Sequence, residues 1–193
     1  MILVIDIGYQ QIYRLTDTID LYDDFKVVSL YDFSQDALEE FKPQAVIISH
    51  GPITVNDTSV QNYLDQLAPL KKCGIPILGI GVGHHLLGLL FHSQAVFAPY
   101  INDIITVGVI EIDDPLFNKL PLDIEVSTDH SSSISIPPGF LLLASSDGSI
   151  NEVMKHKEKP IYGVQFLPER SGNYGAIIIE NFVEISSRSR SIK

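Results

Sequence analysis

Along the first half of the chain, short runs of consecutive apolar residues alternate with stretches of helical spacing. Residues 2–7 (ILVIDI) predict a buried strand ended by Gly8. Residues 26–30 predict a second strand. Residues 45–49 (AVIIS) predict a third, which runs into the loop His50-Gly51-Pro52. Val60, Tyr63, Leu64, Leu67 and Leu70 then recur at three- and four-residue intervals, the spacing of an amphipathic helix over 57–72. Asn56 or Asp57 is placed to cap its start, and Gly74 with Pro76 to close it. Residues 76–80 (PILGI) predict a fourth strand, which passes through Gly81-Val82-Gly83 into a helix over 84–91. The second half is richer in strand patterns, at 94–98, 104–112, 123–127, 140–145, 149–155 and 160–166, before a closing helix over 173–186. The last residues, SSRSRSIK, are polar and basic and are expected to fray.

Apolar strands that alternate with helices imply an α/β fold whose parallel sheet is covered on both faces. In such sheets ligands bind beyond the carboxyl ends of the strands. The loops at 8–11, 50–56 and 81–85, and the one after 166, are therefore expected to share one rim. At 193 residues, 45% apolar and 19% charged, the chain has the length and composition of one globular domain. Its formal charge of −11 argues against a nucleic-acid partner, which needs a basic footprint. A single cysteine excludes an internal disulfide and CxxC metal sites. The start lacks the basic region and cleavage site of a signal peptide, and no apolar run is long enough to span a membrane. A soluble, cytoplasmic chain is expected.

The stretch Gly79-Ile80-Gly81-Val82-Gly83-His84-His85 joins a strand to a helix. This is the arrangement of a nucleophile elbow, where a sharp turn lifts one side chain above the sheet and the next N–H faces a developing oxyanion. The elbow position here is Gly81, which has no side chain to attack with. A plain strand–helix turn also carries glycines. A phosphate loop is weakly supported, because neither GxGxxG nor GK[ST] is present.

At this turn the chain resembles the class I glutamine amidotransferases, and most closely the amidotransferase domain or subunit of the GMP synthase branch. The resemblance runs nearly end to end: VIDIGYQQ, AVIISHGP, PILGIGVGHHLLGLLF, DDPLFNKLP, PPGFLLLASSDGSINEVMKHKEKPIYGVQFLPE and YGAIIIENF. It implies a flavodoxin-like fold, with a mostly parallel central sheet, helices on both faces and a small antiparallel sheet. It also implies one amidotransferase-like domain over 1–187, followed by a polar tail over 188–193. Members of this family hydrolyse glutamine with a Cys-His-Glu triad and pass ammonia to a synthetase.

The carry-over breaks at the triad. The nucleophile position is Gly81, and the histidine position of GVQFHPE is Leu167. Only Glu169 is retained. Gly51 and Val82 match the oxyanion pocket, whereas His50 replaces a loop glycine, His85 replaces a glutamine-binding Gln, and His130 matches a substrate-loop histidine. A glycine cannot form a thioester and a leucine cannot carry a proton. Loss of one such member typically costs on the order of 10⁶ in turnover. The resemblance therefore implies a chain that does not hydrolyse glutamine and serves as a binding or regulatory homologue. The competing reading is a working subunit that supplies ammonia for GMP synthesis through a replacement nucleophile, with Cys73 or a Ser131/Ser132 pair beside His130 as its only candidates.

His50, His85 and His130 around an emptied pocket could bind a divalent metal such as zinc, or a small ligand. No HxxxH or HExxH spacing supports a preformed metal site, and no metal or cofactor is expected. The partners implied are a synthetase subunit of the ATP pyrophosphatase type, a second copy of the chain, or a small molecule in the remodelled pocket. Neither nucleic acid nor a membrane is among them.

Overall fold

The computed structural model describes residues 1–55 and 57–190. Nine strands form one sheet in the order β2-β1-β3-β4-β9-β8-β7-β5-β6. They are β1 (Ile2–Asp6), β2 (Phe25–Ser29), β3 (Ala45–Ile48), β4 (Ile77–Ile80), β5 (Ala95–Val109), β6 (Asp123–Ile134), β7 (Phe140–Ser145), β8 (Val153–His156) and β9 (Ile161–Val164). Five helices accompany them: α1 (Ile12–Asp20), α2 (Gln35–Phe41), α3 (Val60–Leu67), α4 (Val82–Leu90) and α5 (Gly172–Arg190). Among the described residues, no helix is long and apolar enough to cross a membrane.

Side chains alternate across the pleat, so each central strand feeds two cores. Ile2 and Val4 of β1, Ala45 and Ile47 of β3, and Leu78 and Ile80 of β4 pack with Leu15 and Ile19 of α1 and Ile178, Ile179 and Phe182 of α5. Their neighbours Leu3, Ile5, Val46, Ile48 and Ile77 face the other way. They pack with Leu38 of α2, Leu67 of α3 and Val82, Leu86, Leu87 and Leu90 of α4. Helices on both faces explain why these strands are apolar without interruption.

The sheet corrects the expected architecture. β2, β1, β3, β4 and β9 run parallel, but β8, β7, β5 and β6 join the same sheet by antiparallel pairing. The result is one mixed sheet, neither mostly parallel nor accompanied by a separate small antiparallel sheet among the described residues. The cause is the turn from β8 into β9: Val153 pairs with Val164, so the hydrogen-bond ladder continues without a break into the parallel half.

Other elements shift for local reasons. The strands expected at 94–98 and 104–112 are one long strand, β5, with a register shift between Phe97 and Ile101 opposite β6. The helix expected over 57–72 ends at Leu67 and gives way to a 3-10 turn over Ala68–Lys71. Pro69 lies in that turn and has no N–H to continue the α pattern. Asp57 caps a turn by accepting from the Ser59 amide at 2.8 Å. Asn56, the other cap candidate, lies outside the described residues. α1 and α2 are additional helices. The closing helix runs to Arg190, so residues 186–190 continue it instead of fraying. Residues 191–193 of the expected tail lie outside the described residues.

Candidate functional site

β4 ends at Ile80, and the chain reverses at Gly81 before α4 begins at Val82. Gly81 has φ +55° and ψ −113°, a conformation that side chains rarely adopt. The turn is tight because α4 starts against the sheet. A Cβ at Gly83 would lie 2.3 Å from the Ile48 carbonyl oxygen, so only glycine fits there. α4 is buried on nearly every side, which fixes the elbow rigidly at the carboxyl end of β4. The geometry is that of a nucleophile elbow, with glycine where the nucleophile would stand.

The space above Gly81 is occupied. A Cβ on residue 81 would meet His50 Nδ1 at 2.5 Å and Leu167 Cδ2 at 3.0 Å. The Val82 N–H, which in an elbow would face an oxyanion, instead donates to His50 Nδ1 at 3.3 Å. An Nδ1 that accepts leaves the ring proton on Nε2. Burial lowers the His50 pKa to about 4 against the opposing pull of Asp129, so the ring is neutral at physiological pH. Tyr9 packs edge-on against it, with ring centres 5.1 Å apart. His50 and Leu167 thus plug the space above the turn at Gly81.

Below the plug lies a buried polar network. The Gln165 amide joins two histidines: its Oε1 is 3.3 Å from His85 Nε2, and its Nε2 is 3.0 Å from His130 Nε2. Ser133 also donates to Gln165 Oε1 at 2.9 Å and shares a 2.9 Å contact with the Ser149 hydroxyl. If the amide nitrogen donates to His130, that ring accepts on Nε2 and is neutral, and His85 donates from Nε2. Burial lowers the His85 pKa to about 4 and that of His130 in the same direction. His84, fully buried behind them, is held well below its ordinary value by the same cause. His85 is therefore tied into the core.

Glu169 has no hydrogen-bonding partner for its carboxyl group. Both carboxyl oxygens are buried and unbonded, contrary to the expectation that the residue would pair with Arg170, a rim histidine or solvent. Arg170 is already engaged, donating to Asp129 at 3.2 Å and to Asn102 at 3.0 Å. The Tyr9 hydroxyl is the polar neighbour of Glu169, short of a formed hydrogen bond. Burial raises the Glu169 pKa, and burial together with this carboxylate raises that of Tyr9.

His50, Gly51, Val82, His85 and His130 come together around a cavity of about 270 Å³, whose lining also includes Tyr100, Asp129, Ser131 and Ser132. Gly81 and Leu167 lie beneath His50, and Glu169 lies apart from the lining beside Tyr9. Cys73 is elsewhere, in the turn before β4, where its thiol donates to the Leu70 carbonyl. Among the described residues, no group of three or more His, Cys, Asp or Glu side chains could hold a metal ion. Sequence reasoning passed over Gln165, Tyr9 and Tyr100. The first is visible in GVQFLPE, but its role as a bridge between two histidines depends on a strand pairing that the sequence does not display.

The sequence model of the family described as glutamine amidotransferase class-I matches residues 3–185. A glutamine-hydrolyzing GMP synthase subunit of Pyrococcus furiosus is 33% identical over 190 residues, 96% of this chain and 98% of that protein. The protein of the same description from Methanocaldococcus jannaschii is 30% identical over 188 residues, 96% of this chain and 97% of its own length. A crystal structure from Thermoplasma acidophilum, provisionally assigned as a GMP synthase subunit, superposes with a TM-score of 0.84 at 31% identity, covering 99% of this chain and 96% of that one.

Proposed function

The chain belongs to the class I glutamine amidotransferase family, and we propose that it is a member of the GMP synthase branch that does not hydrolyse glutamine. One observation carries this reading: the His50 ring takes both the space of a nucleophile side chain at residue 81 and the N–H of Val82. Glutamine hydrolysis needs a nucleophile, a base to take its proton and a donor for the oxyanion. Gly81 supplies no nucleophile and Leu167 no base. The oxyanion donor at Val82 is engaged by a ring that must move before it can serve.

The retained frame suits a binding or regulatory role beside a synthetase subunit of the ATP pyrophosphatase type, the partner that the family likeness suggests. The cavity of about 270 Å³ next to His50 is where a small ligand would be read. Its neutral imidazoles and Asp129 offer hydrogen bonds without a strong net charge.

The test is ammonia release from glutamine by the purified chain, alone and with a synthetase subunit from the same source. Background rates are expected in both cases. Release that depends on the chain and survives Cys73→Ala would favour a working subunit with a nucleophile at Ser131 or Ser132. Release abolished by Cys73→Ala would assign the chemistry to that thiol. Either result overturns the reading.

A further inference from the structure

A second cavity, of about 520 Å³, lies between β5 and the turn that follows β7. It touches the histidine-lined cavity only through Tyr100 and His130. Ala98, Pro99, Ile101 and Ile105 of β5 give it an apolar wall. Against that wall stands Glu152, just before β8, with 0% of its surface exposed. One carboxyl oxygen accepts from the Ser146 hydroxyl at 2.8 Å. The other, Oε2, is buried with no hydrogen-bond partner.

No lysine or arginine lines this cavity, and its other acidic side chain is Asp147 at the exposed rim. Glu152 takes part in none of the ion pairs among the described residues. A buried carboxylate without a counter-ion is costly, so the group stays protonated or meets a cation that enters from outside. A lone carboxyl oxygen beside apolar side chains is a poor cage for an inorganic cation, which seeks six or more oxygens. It suits a cation that brings its own apolar body. The volume is in the range of small-molecule sites, which are mostly apolar with a few placed polar groups.

We propose that this cavity binds a small organic amine in its ammonium form, with the –NH₃⁺ group meeting the Glu152 carboxyl as that side chain turns into the cavity, and the apolar body along Pro99, Ile101 and Ile105. Tyr100, largely exposed at the mouth, offers a ring face to the incoming cation. Burial raises the Glu152 pKa to about 7, so near neutral pH the carboxyl can ionise as the amine arrives, releasing its proton to solvent. The site needs nothing from the elbow and stands whether or not the chain hydrolyses glutamine.

The experiment is calorimetric titration of the full chain at fixed ionic strength with 2-phenylethylammonium chloride, its neutral counterpart 2-phenylethanol, and ammonium chloride. The amine should bind saturably at one site. The alcohol, and the amine on Glu152→Gln, should bind about tenfold more weakly or worse, since a desolvated charge pair is lost in each case. Ammonium chloride should not saturate. Thr106→Trp, at an exposed position that lines only this cavity of the two, should fill the mouth and weaken the amine by a similar factor. The proposal fails if the wild-type chain shows no saturable amine binding, or if alcohol and amine bind alike. It fails equally if ammonium chloride saturates the site. Should Glu152→Gln not fold, the Thr106→Trp titration decides: unchanged amine affinity overturns the site and a tenfold loss supports it.

Discussion

At residue 81, any side chain enters space that His50 and Leu167 already hold. Gly81→Cys brings two costs: a Cβ at φ +55°, and a close approach of 2.5 Å to His50 Nδ1. Strain of this kind costs on the order of 1–3 kcal/mol. The substitution should lower the unfolding free energy by about that amount in urea titrations and give no glutaminase activity, because Leu167 is no base. Removing the imidazole should relieve part of the cost. Gly81→Cys with His50→Gly should be more stable than the sum of the two single changes predicts, a coupling that a double-mutant cycle reads directly. Catalysis should also require Leu167→His, to place an imidazole near Glu169, and His85→Gln, to clear the amide site. Glu169 itself is a buried carboxyl without a bonded partner. Glu169→Gln keeps the shape and cannot ionise, so it should raise stability by about 1–3 kcal/mol at a pH above the raised pKa of the carboxyl. A loss of stability there would mean that the carboxylate, beside Tyr9, is a needed acceptor.

At the scale of elements, Gln165 fastens three parts of the fold. It follows β9, and its amide reaches His85 on α4 and both His130 and Ser133 on β6. Gln165→Leu would leave His85 and His130 without this partner, while Ser133 keeps its contact with Ser149. It should cost about 1–3 kcal/mol for each group left without a partner, seen as a lower urea midpoint with an unchanged slope. Much of this architecture was legible beforehand. The runs ILVID and AVII, apolar at nearly every position, declare strands buried on both faces, and PILGIGVGHH declares the strand–turn–helix at the elbow. α1 was harder to read. Its buried positions are only Leu15, Thr16 and Ile19, set among Asp and Thr residues that weaken a helical pattern. The join of β8 to β9 was not legible, because a ladder of backbone hydrogen bonds leaves no trace in side-chain order. Gly81 and Leu167 could be read from sequence, but the packing of His50 over them could not. That His50 turns its ring over Gly81 depends on how the loop after β3 packs against α4.

Across the whole molecule, buried titratable groups pull stability in opposite directions as pH changes. His50 and His85 have folded pKa values of about 4, and those of His84 and His130 are also lowered by burial. An unfolded chain binds protons on these rings below about 6.5, where the folded chain does not. Their contribution is therefore complete above that pH and is lost as pH falls through 4. Glu152 has the reverse sign, as does Glu169, whose pKa burial also raises. The folded pKa of Glu152, about 7, exceeds the unfolded value near 4.5, so its cost is absent below the lower value and complete above the upper one. The net charge of −11 adds self-repulsion at neutral pH, which acid relieves. Four histidines outweigh these relieving effects, because His50 and His85 alone each represent on the order of 3 kcal/mol between pH 6.5 and 4. Urea midpoints measured at constant ionic strength should therefore fall steeply from pH 6.5 to pH 4. Glu152→Gln should raise the midpoint at pH 8 while leaving the value at pH 4 nearly unchanged. His85→Gln, which keeps an amide able to meet Gln165, should flatten the acid limb. An acid limb that is equally steep in His85→Gln would move the linkage away from this buried network and onto the exposed carboxylates.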